Sequence, residues 1–196
     1  NKTINDVYFI EELAYVCCGF GIVVVDMNRN EIRDTYIIGE GGSYLCINDI
    51  TLYDDKLYAA TPEGVYFADY HSENLADFSE WHLDRSMIHD KINYNEIESF
   101  NDKLIVNFTE NKYNTDTMFI YNGVKWDYFL KDDNSIKREI RSQNDRLILT
   151  KQYSVRVLDS NFNNISNFNN SLGPFSTVYD KNRNAFVFFC LGGEIP

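Results

Sequence analysis

One pattern recurs five times along the chain, and its spacing constrains the fold more than any other feature. Each copy is a polar or acidic residue, a Val or Ile, and, about seven residues on, an apolar strand. The copies begin at Asp6-Val7, Asp49-Ile50, Glu96-Ile97, Glu139-Ile140 and Thr177-Val178, and successive Val/Ile positions lie 43, 47, 43 and 38 residues apart. A period of this length built from several short strands is the mark of a β-propeller blade. The predicted fold class is therefore all-β, a propeller of four-stranded antiparallel blades, with about four and a half blades present.

Turn residues divide each repeat into strands. Blade one, approximately 1–43, reads as strands 4–9, 13–18, 21–26 and 32–38, separated by Glu11-Glu12, Gly19-Phe20-Gly21 and Asn28-Arg29-Asn30. Gly accepts positive φ, and Asp and Asn bond nearby backbone, so such clusters mark tight turns. Blade two, approximately 44–91, reads as strands 47–52, 57–60, 65–68 and 81–83, with a long loop before the last. Blade three, approximately 92–134, carries strands 97–99, 104–107, 118–121 and 126–129 and an insertion at 109–116. Blade four, approximately 135–172, carries strands 140–142, 147–149, 155–158 and 165–168. An incomplete fifth, 173–196, holds strands 176–179 and 185–190.

Strands such as Ile22-Val23-Val24-Val25 are apolar on consecutive residues. That suits a blade packed between two neighbours, with both faces buried. Residues 1–196 thus read as a single partial propeller domain. Four and a half blades would leave two apolar faces open, so further blades of the same chain are expected to complete a larger closed ring.

Composition narrows the partners. The 14 Tyr and 14 Phe suit sheets. The formal charge of −12, from 30 acidic against 18 basic side chains, argues against nucleic acid, which needs clustered Lys and Arg. The most basic stretch, Lys131 to Arg141, is nearly cancelled by Asp132, Asp133 and Glu139. No stretch approaches the roughly 20 apolar residues of a transmembrane helix.

Candidate chemistry is sparse. The histidines are His71, His82 and His89, and none stands in a nucleophile motif. Cys18-Gly19-Phe20-Gly21 joins two antiparallel strands and opens no helix, so it is no dinucleotide loop. Adjacent Cys17 and Cys18 point to opposite strand faces, and with Cys46 and Cys190 they make no metal pattern. No catalytic residue, cofactor or metal is assigned, and the expectation is a protein that is not an enzyme. The aromatics Tyr70, Trp81, Tyr94, Tyr113 and Trp126 either pack between blades or stack on sugar rings.

One constellation follows from the repeat itself. Asp6, Asp49, Glu96 and Glu139 occupy the same repeat position, so rotation about a propeller axis sets them in a circle near one mouth of the channel. Such a circle can hold a cation or a cationic ligand group, its members raising one another's pKa. Alternatively, each carboxylate bonds backbone of its own or a neighbouring blade.

The stretch Leu13-Ala14-Tyr15-Val16-Cys17-Cys18-Gly19-Phe20-Gly21-Ile22-Val23-Val24-Val25-Asp26 resembles the PorZ-like N-terminal β-propeller family of Bacteroidetes. So do Glu31-Ile32-Arg33-Asp34-Thr35-Tyr36-Ile37-Ile38-Gly39 and Leu57-Tyr58-Ala59-Ala60-Thr61-Pro62-Glu63-Gly64-Val65-Tyr66. The pattern is also similar to the propeller repeats of periplasmic hybrid two-component sensors. The resemblance implies an exported protein of the periplasm or the outer-membrane-associated cell surface. It further implies a non-catalytic scaffold linked to type IX secretion and surface attachment of cargo. Its implied partners are other envelope proteins or a glycan or lipopolysaccharide-type ligand. The similarity to sensors implies the alternative, a glycan-sensing periplasmic domain.

Overall fold

The computed structural model describes residues 3–110, 115–131, 137–169, 174–180 and 185–190. Four sheets of four antiparallel strands follow one another along the chain, each an up-and-down meander. Blade one is β1 (Ile4–Ile10), β2 (Leu13–Cys18), β3 (Gly21–Asp26) and β4 (Glu31–Tyr36). Blade two is β5 (Asp49–Tyr53), β6 (Lys56–Thr61), β7 (Gly64–Asp69) and β8 (His82–Leu83). Blade three is β9 (Tyr94–Phe100), β10 (Lys103–Glu110), β11 (Thr115–Tyr121) and β12 (Trp126–Lys131). Blade four is β13 (Lys137–Gln143), β14 (Arg146–Lys151), β15 (Ser154–Leu158) and β16 (Asn164–Asn169). A hairpin, β17 (Pro174–Asp180) and β18 (Ala185–Cys190), packs its first strand against β13 and β14. The fold is a β-propeller.

The first hairpin turn of blades two to four is the same each time. Asp54-Asp55, Asn101-Asp102 and Asn144-Asp145 all have both residues at positive φ. This is the two-residue turn whose twist matches the flanking strands, and Asn and Asp tolerate it best after Gly. The third strand opens on glycine in blades one and two for a steric reason. A Cβ on Gly64 (φ 128°) would meet the Asp90 carbonyl oxygen at 2.3 Å, and one on Gly21 (φ 152°) the Tyr36 carbonyl oxygen at 2.2 Å.

The core lies between blades rather than inside one. Tyr15, Ile22, Val24, Ile47, Leu57 and Ala59 pack where blades one and two meet. Tyr58, Val65, Tyr94, Leu104 and Phe119 do so between blades two and three. Ile105, Met118, Ile140 and Leu149 fill the next interface. Because β6 faces one neighbour with Leu57 and Ala59 and the other with Tyr58 and Ala60, it reads as an unbroken apolar run.

Several elements differ from expectation at their edges. The last strand of blade two is two residues, because Trp81 closes a 3-10 turn over Phe78–Glu80 instead of pairing. The inner strands of blades three and four start earlier than expected, at Tyr94 and Lys137. Ile37 and Ile38 follow β4 rather than extending it. The expected insertion at 109–116 is partly ladder, with Thr109 opposite Asp116 and Glu110 opposite Thr115. Its tip, with Tyr113, lies outside the described residues. Gly41 and Gly42 form part of a 3-10 turn between blades, Glu40–Gly42. Cys17 and Cys18 are buried free thiols, and Cys46 is a half-buried one.

Candidate functional site

The innermost strand of each blade has one edge with no strand beside it, and an unpaired edge leaves N–H and C=O groups to be satisfied otherwise. The acidic repeat position answers this need across the blade boundary. Asp49 Oδ2 accepts the Ile97 N–H at 2.8 Å, and Glu96 Oε2 accepts the Ile140 N–H at 3.1 Å. Asp49 Oδ1 also accepts the N–H of Ile50 at 2.7 Å. Each of these two carboxylates thus ties its own blade to the innermost strand of the next.

A second tier lies two residues further along. The Ser99 N–H donates to Thr51 Oγ1 at 3.3 Å, and the Thr51 hydroxyl donates to Ser99 Oγ at 3.2 Å. The Ser142 hydroxyl donates to Glu98 Oε1 at 2.7 Å. The residue before the acid completes the pattern with the opposite polarity. Asn5 Nδ2 donates to the Ile47 carbonyl at 2.6 Å, and Asn48 Nδ2 to the Tyr94 carbonyl at 2.6 Å.

These strands enclose a cavity of about 390 Å³ that is lined by Asp6, Asp49, Glu96, Glu98, Glu139 and Arg141, with neighbouring inner-strand residues. The structure therefore brings together all four carboxylates at the repeat position, and adds a fifth. Arg141 is bound to Glu139, its Nη2 at 2.7 Å and its Nε at 2.9 Å from Oε1. Among the described residues, one guanidinium faces five carboxyl groups.

The electrostatics follow from that imbalance and from burial. Burial pushes Glu98 up to about 7, against the opposing Ser142 hydrogen bond and Arg141. Asp49 is also raised well above the usual carboxylate range, by burial first and then by Glu96 and Asp6. Glu96 is raised by burial, opposed by its hydrogen bond from Ile140 and reinforced by Glu139 and Asp6. Arg141 holds its proton more tightly than an ordinary guanidinium. Burial alone would loosen it, and Glu139 and Asp6 outweigh that. Asp49, Glu96 and Glu98 are thereby held toward their protonated forms, so a cation entering the cavity would draw protons off them, in a setting where water screens poorly.

The two readings of the acidic circle meet here. Asp49 and Glu96 do bond the neighbouring blade's backbone, and they still line the cavity. Among the described residues, no three His, Cys, Asp or Glu side chains group so as to hold a metal ion.

Glu98, Arg141 and the Thr51, Ser99 and Ser142 hydroxyls were not singled out from sequence, although a signal existed. Side chains alternate along a strand, so the residue two beyond each repeat acid shares its face. That step leads from Asp49 to Thr51, from Glu96 to Glu98 and from Glu139 to Arg141.

The histidines stand apart from this cavity. His71 is exposed beside Asp55, His82 lies edge-on to Phe67, and the His89 carbonyl accepts the Tyr94 hydroxyl. Trp81, Tyr94 and Trp126 are buried blade-packing residues, and Tyr70 is half-buried against the first interface. No helix among the described residues is long and apolar enough to cross a membrane.

Comparison with known proteins bears out the resemblance. Residues 1–82 match the family model described as the TSS9, PorZ, N-terminal beta-propeller domain. No curated protein sequence matches the chain. In structure the chain is similar to PorZ of Porphyromonas gingivalis, a bacterial surface component of the type IX secretion system (TM-score 0.71, 12% identity). That alignment covers 98% of this chain and 26% of PorZ. It is also similar to the extracellular domain of the hybrid two-component system BT4673 of B. thetaiotaomicron (TM-score 0.66, 13% identity), over 95% of this chain and 25% of that one. A computationally designed protein, Ika8, shares the architecture at TM-score 0.58 and 10% identity, over 94% and 54%. The chain spans about a quarter of the length of the two natural proteins. At such identities these likenesses establish the propeller fold.

Proposed function

We propose that this chain is a non-catalytic binding propeller of an exported Bacteroidetes envelope protein, PorZ-like, whose inner-strand mouth receives a cationic side chain of a partner protein. The observation that carries this reading is the cavity with five carboxyl groups and one guanidinium. Three of its acids, Asp49, Glu96 and Glu98, are fixed by hydrogen bonds to neighbouring blades, which suits a rigid receptor rather than a set of mobile proton carriers. The family match over residues 1–82 supports placement at the periplasm or cell surface, and a link to type IX secretion and cargo attachment. Further blades of the same chain are the natural cover for blade one's outer face, where Phe9 and Ile32 are exposed. The likeness to the BT4673 extracellular domain favours one second reading, a glycan-sensing domain of a two-component system.

Calorimetric titration with an arginine-rich peptide, purified lipopolysaccharide and a neutral oligosaccharide panel separates these. The proposal expects the peptide to bind, less tightly as salt rises, and to weaken on Asp6→Asn with Glu98→Gln. Binding of a neutral oligosaccharide in place of the peptide would favour the sensor, and turnover of any glycan would contradict both.

A further inference from the structure

A second cavity, of about 520 Å³, opens on the outer side of blade two beside the connection from blade one, and the mouth has no use for it. Its floor is aromatic and stiffly held. Trp81 is buried, with its indole N–H donating to the Leu75 carbonyl at 2.9 Å. Phe78 sits over Gly42, where an added Cβ would come within 3.3 Å of its ring, and is 42% exposed to the groove.

Tyr66 is the informative residue. It lines this cavity, is 7% exposed, and its hydroxyl has no hydrogen-bond partner among the described residues. That hydroxyl is not among the buried polar atoms left unsatisfied, so solvent reaches it, and a group entering the cavity can replace that solvent as its partner. Burial and the Glu63 and Glu40 carboxylates raise its pKa, with Arg85 opposing, so it stays protonated and able to donate. Those same side chains, together with Lys91, form a rim that carries both signs of charge. Among the described residues, Arg85 pairs with Asp90 in a loose, exposed contact at 3.7 Å.

The geometry points to a binding site for a zwitterion with an apolar side chain, an amino acid or short peptide with free ends. Its apolar part would rest on Phe78 and Trp81. Its carboxylate would take the Tyr66 hydroxyl with Arg85 and Lys91, and its ammonium Glu40 and Glu63. An anionic headgroup would be repelled by the two glutamates, and a neutral sugar would leave all four rim charges uncompensated. A cavity of this volume is in the range that holds small ligands. The inference rests on residues separate from the inner mouth, so either can fail without the other.

The test is to titrate the chain with the dipeptide Leu-Phe at millimolar concentration, following the Trp81 indole N–H by NMR. The N-acetylated, amidated dipeptide and cellobiose serve as comparators. Leu-Phe is expected to shift that signal and the capped dipeptide is not. Tyr66→Phe is expected to weaken binding about tenfold, because a hydrogen bond to a charged group is lost. Lys91→Gln, at an exposed position that leaves the fold intact, is expected to weaken it too. An unmoved Trp81 signal, or equal binding of the capped dipeptide or of cellobiose, would overturn the assignment.

Discussion

Glu98 shows how one side chain couples the mouth to pH. Its carboxyl is carried from the ordinary 4.5 up to about 7, chiefly by burial. Between those values the folded chain keeps a proton that the unfolded chain has released. Stability contributed by this residue is therefore present below the lower value and lost as pH rises through the upper one. Glu98→Gln keeps an oxygen for the Ser142 hydroxyl and removes the titration. Its melting temperature should fall less than that of the parent between about pH 5 and pH 8. Parallel curves for the two proteins would show that Glu98 does not titrate there. The residue was legible in the sequence only through strand alternation from Glu96, a step that the repeat position alone does not suggest.

At the scale of elements, the inner strands are joined by side chains that reach one blade onward as well as by apolar contact. Asp49 ties β5 to β9 through Ile97, and Glu96 ties β9 to β13 through Ile140. Asp49→Ala would leave two buried N–H groups, on Ile50 and Ile97, without acceptors. We expect a loss of about 2 kcal/mol in urea unfolding, within the range for unsatisfied buried donors. Asp49→Asn keeps an acceptor oxygen and removes a carboxyl that burial already disfavours in its charged form, so its loss should be smaller. Equal losses would mean that the charge, not the hydrogen bonds, matters. The acids themselves were visible as a repeat, because their spacing follows the blade period. Their partners were not, since a bond from Asn5 to Ile47 or from Thr51 to Ser99 depends on which strand edges the packed blades bring together. Strand positions were legible wherever an apolar run met an Asn or Asp turn. They were misjudged where polar residues continue the ladder, as in β13, or where Trp81 packs without pairing.

For the whole molecule, blades packed face to face make a rigid ring segment with its acidic inner edges gathered at one end and an aromatic groove on its flank. Net charge of −12 is spread over the chain, and the mouth gathers carboxyl groups in a place where screening is weak. The central claim is that this mouth takes a cationic group. The most direct measurement is an NMR titration of the chain with an arginine-rich peptide, read at the Ile97 and Ile140 amides that Asp49 and Glu96 hold. The account predicts saturable shifts at these two amides, abolished by high salt and reduced by Asp6→Asn with Glu98→Gln. Shifts confined to other surfaces, or none at these amides, would contradict it.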